Sequence, residues 1–125
     1  MKKVLVIDDD ATVRRSLRRF LQGQAEVLVF ESTQQLLDEV RESGSDEFLL
    51  LTDGNMKGSQ GFDLDGDELI EAVRAMAGDR LVRAVIMSGN ANEFRASANR
   101  LGVELLGKPV QPKILMEIVA TFLGS

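Results

Sequence analysis

Short apolar runs that alternate with stretches of helical period restrict this chain more than any other feature. Val4 to Ile7 is continuous, apolar and rich in β-branched residues, as expected of a strand buried on both faces. Beyond it, Val13, Leu17, Phe20 and Leu21 recur at the spacing that places them on one helical face. The exchange then repeats. Glu26 to Phe30 reads as a strand, and Leu36, Leu37 and Val40 form a stripe behind a capping-box signal, Ser32 with Gln35 three positions on. Phe48 to Thr52 is a third strand, and Leu69, Ile70, Val73 and Met76 mark a helix that opens near Gly66. Leu81 to Ser88 is a fourth strand, followed by a weaker helix over Ala91 to Leu101 with Phe94, Ala98 and Leu101 inward. Val103 to Leu106 is a short fifth strand, and Ile114, Leu115, Ile118, Val119 and Phe122 make the last helix amphipathic. Strict alternation predicts an α/β domain: a doubly wound parallel sheet with helices on both faces, joined by right-handed crossovers.

The whole chain, residues 1–125, fits one domain, and no appended DNA-binding or kinase module is expected. Twenty acidic against fifteen basic residues argue against non-specific nucleic-acid binding, which needs a basic footprint. Without cysteine or histidine, disulfides, thiolate metal sites and imidazole catalysis are excluded. The basic-then-apolar start is cut short by Asp8, too early for a signal peptide, and no run reaches the length of a membrane span. The expectation is a soluble cytoplasmic domain.

Open sheets of this kind bind ligands beyond the carboxyl ends of their strands. Asp8 and Asp9 close the first strand, Asp53 the third, Ser88 the fourth, and Lys108 follows the fifth. In a doubly wound sheet strands one and three are neighbours, so three carboxylates converge. Such crowding protonates one of them unless a cation sits among them, and a hard, oxygen-seeking Mg²⁺ suits the set. Ser88 offers a hydroxyl donor and Lys108 a point charge suited to a phosphoryl oxygen. Asp10 is the best candidate to cap the first helix. The Lys108–Pro109 bond is a candidate for the cis isomer.

The segments VLVIDDDATVRRSL, LLLTDGNM, AVIMSGNA and LLGKPV, in this order at the strand ends, resemble the receiver domain of bacterial two-component response regulators of the stand-alone, chemotaxis-regulator-like kind. The resemblance implies a flavodoxin-like five-stranded sheet of order 2-1-3-4-5 with five helices, and no effector domain. It implies that Asp53 accepts a phosphoryl group from a histidine kinase or phosphotransfer protein. Asp8, Asp9, Asp53 and the backbone carbonyl of Asn55 would hold Mg²⁺, with Ser88 and Lys108 at the hydroxyl and lysine positions. Asn55 and Asn90 fall where the family tunes dephosphorylation. Output would pass to a downstream protein partner or along a phosphorelay, with no direct nucleic-acid or membrane contact and no catalysis beyond self-phosphorylation and dephosphorylation.

Three departures stand against that pattern. Lys57 replaces an expected proline, and Gly58 to Phe62 look inserted before Asp65-Gly66, in a loop (57–65) that its glycines should make pliable. Leu105 stands where an aromatic usually couples the hydroxyl to the output face, and reads as plain core. Gly89 follows the hydroxyl where a small side chain is usual. Asp63, Asp65 and Asp67 have the wrong register for a calcium loop, so capping of the third helix by Asp65, Asp67 and Glu68 accounts for them better. Arg14, Arg15, Arg18 and Arg19 make the first helix basic on its outer face, by default solvated and alternatively a docking surface for an acidic partner. Two rival readings remain: a receiver-like interaction module that is never phosphorylated, and a haloacid-dehalogenase-type phosphatase with Asp8 as nucleophile and Asp10 as acid.

Overall fold

The computed structural model describes residues 1–23 and 26–125. The strands are β1 (Lys2–Ile7), β2 (Glu26–Phe30), β3 (Glu47–Asp53), β4 (Leu81–Ser88) and β5 (Glu104–Gly107). The helices are α1 (Ala11–Leu21), α2 (Thr33–Glu42), α3 (Gly66–Ala77), α4 (Ala91–Leu101) and α5 (Pro112–Gly124). All strand pairs are parallel, in the order β2-β1-β3-β4-β5. The doubly wound parallel sheet anticipated from the alternation is observed, in the flavodoxin-like order that the family resemblance implied. Among the described residues no helix is long and apolar enough to cross a membrane.

The side-chain period of two divides the central strands between two cores. Leu5, Ile7, Phe48, Leu50, Ala84 and Ile86 pack with α2, α3 and α4 on one face. Val4, Val6, Leu49, Leu51, Val85 and Met87 pack with α1 and α5 on the other. Both faces being covered is why these strands read as unbroken apolar runs. Each buried aliphatic side chain contributes about 1.5–3 kcal/mol relative to exposure.

Helix starts are set locally. The Asp10 carboxylate accepts from the amides of Thr12 (2.8 Å) and Val13 (3.4 Å), so it is the N-cap of α1. Ser32 Oγ caps α2 by accepting from Gln35 N–H. The Gln35 side chain, however, accepts from Glu31 N–H rather than from Ser32, so only half of the expected box forms. Two apolar positions depart from their helical faces. Phe20 is 40% exposed and Ile114 36% exposed, because each lies at the margin of its stripe where the sheet no longer covers it. Leu105 is half-buried against the α2–α3–α4 core rather than fully enclosed.

The loop expected to be pliable is pinned at several points. Gly58 and Gly61 take φ of 102° and 89°, a region open to glycine but strained for other residues, and so allow a tight turn. Within it Ser59 N–H donates to Met56 O (3.1 Å), and Phe62 N–H to Ser59 O (2.9 Å). Phe62 is buried in the α2–α3–α4 core. Gly61 O accepts from Thr33 N–H, and Thr33 Oγ1 accepts from Asp63 N–H, which fastens the loop to the start of α2. At its other end the Asp65 carboxylate accepts from Met56 N–H (3.0 Å) and Lys57 N–H (2.9 Å). Glu68 accepts from Asp65 N–H and pairs with Lys57 Nζ at 3.1 Å. Asp65 and Glu68 thus serve α3 as anticipated, and Asp65 also ties the loop to it.

Candidate functional site

Strand register brings the singled-out residues to one edge. Ile7 pairs with Thr52, so Asp8 and Asp53 emerge side by side from β1 and β3. Asp53 pairs with Met87 and Ser88 with Gly107, which brings Ser88 and Lys108 to the same end. Lys108 Nζ lies 2.7 Å from Asp8 Oδ2 and 3.0 Å from Asp53 Oδ1, bridging the two carboxylates. Its position is held because Lys108 N–H donates to Ser88 O, and the Lys108–Pro109 bond is cis. Asp8, Asp53 and Ser88 are buried, and Asp9 is half-buried.

Close backbone packing steadies Asp53. Gly66 N–H donates to Gly54 O at 2.8 Å, and a Cβ on Gly66 would collide with the Asp53 carbonyl oxygen. Next to Asp53 in the chain, the ring of Phe94 lies against Gly54, where a Cβ would come within 2.6 Å of it. Asp8 is oriented by Asp10 N–H, which donates to its Oδ1 at 2.9 Å. Arg14 Nη1 donates to Asp8 O at 2.7 Å, so this arginine is turned back onto the end of β1 while Arg15, Arg18 and Arg19 face solvent.

Burial, then the neighbouring Asp8 charge, push the Asp53 carboxyl up to about 7, against the opposing pull of Lys108. Burial alone would lower the Lys108 ammonium, but its bonds to Asp8 and Asp53 outweigh that and hold it above its ordinary value. One ammonium therefore does not neutralise this site. Oxygens from Asp8, Asp9 and Asp53 lie within 4.8 Å of one another. An all-oxygen, excess-negative donor set fits a hard divalent cation such as Mg²⁺.

Asn55 is exposed, and its side-chain amide donates to Glu93 Oε2 of α4 at 3.0 Å. Its carbonyl accepts no backbone hydrogen bond among the described residues. Ser88 Oγ accepts from Asn90 N–H at 3.0 Å, which leaves its proton free for another acceptor. Asp10 is exposed and its carboxylate is occupied by α1 amides, a poor placement for the acid of a phosphatase. Beside Lys108 opens an apolar groove of about 450 Å³ between α1 and the β5–α5 loop, lined by Val13, Leu17, Phe20, Met87, Pro109 and Val110.

The model of the response regulator receiver domain matches residues 4–120. The chain belongs to that family. As a receiver domain it is a two-component signalling module. Among solved structures it is similar to full-length FixJ from B. japonicum, at 28% identity and a TM-score of 0.77, covering 98% of this chain and 57% of that one. It is similar to an adenylate cyclase from Rhodopirellula baltica at 25% identity and a TM-score of 0.79, with 98% and 87% covered. A CheY-like receiver domain protein from Methanospirillum hungatei JF-1 shares the fold, with 23% identity, a TM-score of 0.79 and coverage of 99% and 94%. No curated protein matches the sequence.

The receiver site also contains groups that the sequence did not reveal. Ser59 Oγ donates to Asp9 Oδ2 at 2.7 Å across fifty positions of chain. Phe62 was a signal in plain view, the one aromatic in a glycine-rich, mostly polar loop. Nothing in the spacing of Ser59 pointed to Asp9.

Proposed function

We propose that this receiver domain accepts a phosphoryl group on Asp53 from a histidine kinase or phosphotransfer protein and uses it to switch the binding of a downstream protein partner. The carrying observation is the convergence of Asp8, Asp53 and Lys108 within hydrogen-bond distance at one strand edge. An oxygen of Asp53 attacks phosphorus, forming the O–P bond of an acyl phosphate as the P–N bond of the donor's phosphohistidine breaks. Asp8, Asp9, Asp53 and the Asn55 carbonyl would hold Mg²⁺, which when bound offsets charge on the phosphoryl oxygens. Lys108 offsets further charge, and exchanges its bond to Asp53 Oδ1 for one to a phosphoryl oxygen. Ser88, whose hydroxyl proton is uncommitted, closes toward another of those oxygens. That movement pulls the β4–α4 loop and biases the surface around α4 between two packings.

The groove beside Lys108, flanked by the exposed arginines of α1, supports docking of a phosphodonor protein on this side. We place the protein in the cytoplasm, where such donors act. The test is intact-mass measurement after incubation with Mg²⁺ and a small phosphodonor. One phosphate adduct on wild type, absent from Asp53→Asn, is expected. An adduct that survives Asp53→Asn, or none with any donor, would overturn the proposal.

A further inference from the structure

The inserted loop reaches the cation site. Its turn, Gly58 to Phe62, is closed by its own backbone hydrogen bonds and anchored by the buried Phe62 ring. Asp65 and Thr33 hold its two flanks. These restraints set Ser59 over the end of β1, where its hydroxyl donates to Asp9 Oδ2 at 2.7 Å. Among the described residues no N–H and no other hydroxyl reaches the Asp9 carboxylate, whose other close polar neighbour is the Asp53 carboxyl. Asp8 and Asp53, in contrast, are both oriented by Lys108. Without Ser59, the half-buried Asp9 would be the one carboxylate of the three with neither a cation nor a hydroxyl to orient it.

We propose that Ser59 is a positioning residue for the cation site, a device of this chain's inserted loop that fixes Asp9 before the ion arrives. The inference rests on the reading of Asp8, Asp9 and Asp53 as an Mg²⁺ site. A hydrogen bond from a hydroxyl to a carboxylate is short and charge-assisted, and it removes rotamer freedom that ion binding would otherwise have to remove. Partners of ligating carboxylates typically change metal affinity by about 10–100-fold. Because Ser59 is exposed, the low end of that range applies. Coupling is reciprocal: if the latched loop favours the ion, the ion favours the latched loop by the same factor.

The experiment is calorimetric titration of Mg²⁺ into wild type, Ser59→Ala and Ser59→Thr, with urea unfolding of each in EDTA. Ser59→Ala is expected to bind Mg²⁺ about tenfold more weakly, with Ser59→Thr, which keeps the hydroxyl, restored to near wild type. Saturating Mg²⁺ should also slow hydrogen exchange at the Ser59 and Phe62 amides in wild type and leave Ser59→Ala unchanged. Equal or tighter binding by Ser59→Ala would overturn the inference and leave the cation reading intact. Weakening that Ser59→Thr does not rescue would likewise overturn it, because the hydroxyl would not be the cause. No binding by wild type would overturn the cation reading and this inference with it.

Discussion

Replacing Phe62 by alanine tests whether the inserted loop is part of the fold or a surface addition. The ring is 95% removed from solvent, since its exposure is 5%, and it packs with the α2–α3–α4 core. An aromatic side chain buries roughly 150–250 Å², worth about 4–6 kcal/mol at ~25 cal/mol per Å². A compact denatured state already hides roughly 10–40% of that area, which lowers the figure to about 2–5 kcal/mol. Phe→Ala substitutions in cores cost about 3–5 kcal/mol, the upper part reflecting cavities that cannot collapse. A loop can settle into the space more readily than a strand, so about 3 kcal/mol is the expected loss. With a urea slope of about 1.5 kcal/mol/M the midpoint falls by roughly 2 M. The chain has no tryptophan or tyrosine, so far-UV circular dichroism is the suitable probe. Phe20→Ala, on a side chain 40% exposed, serves as the control and should cost distinctly less than Phe62→Ala. A Phe62→Ala loss as small as the control's would refute the account of a loop anchored in the core.

Further outcomes follow from other contacts. Gly66→Ala forces a Cβ into the Asp53 carbonyl oxygen. It should cost about 1–3 kcal/mol in urea unfolding and slow phosphorylation at Asp53, whereas Gly89→Ala, with nothing within 4 Å, should leave both unchanged. Equal behaviour of the two variants would show that the backbone approach is not restrictive. Asp65→Ala removes the acceptor of the Met56 and Lys57 amides. It should cost about 1–2 kcal/mol and raise hydrogen exchange at those amides, and unchanged exchange there would count against the clamp. At the opposite end of the sheet, the bond from Lys3 holds the Glu39 carboxyl below its ordinary value, aided by Ser43, and Lys3 likewise lowers Asp46. Both carboxyls are depressed on folding. Their contribution is therefore complete above the ordinary carboxylate range and is lost as pH falls through the lower folded values. Lys3→Met should flatten the acid limb of a stability-against-pH curve, and an identical limb would exclude this cluster as its source.

Much of the fold could be read from residue order. The three central apolar runs are strands because a sheet covered on both faces needs unbroken apolar stretches, and alternation with amphipathic segments leaves the parallel crossover as the way to connect them. Asp8, Asp9, Asp53, Ser88 and Lys108 were legible because strand ends mark positions that any such sheet gathers at one edge. Asp10 was legible as a cap because N-capping depends on neighbours two and three residues away. Phe20 and Ile114 were read as inward because periodicity defines a face without saying how far the sheet extends beneath it.

Sequence by itself determined the parallel architecture and which side chains meet at its carboxyl edge, since both follow from local periodicity and from strand ends. Only the tertiary structure decided what the loop after Asp53 does. Its glycines permit many paths, and the chosen one depends on a ring entering a distant core, on Thr33 of α2 and on the Asp65 carboxylate. The contact between Ser59 and Asp9 was undetermined for the same reason. It joins residues fifty positions apart through no repeating geometry, and exists because packing elsewhere brings the turn over the end of β1.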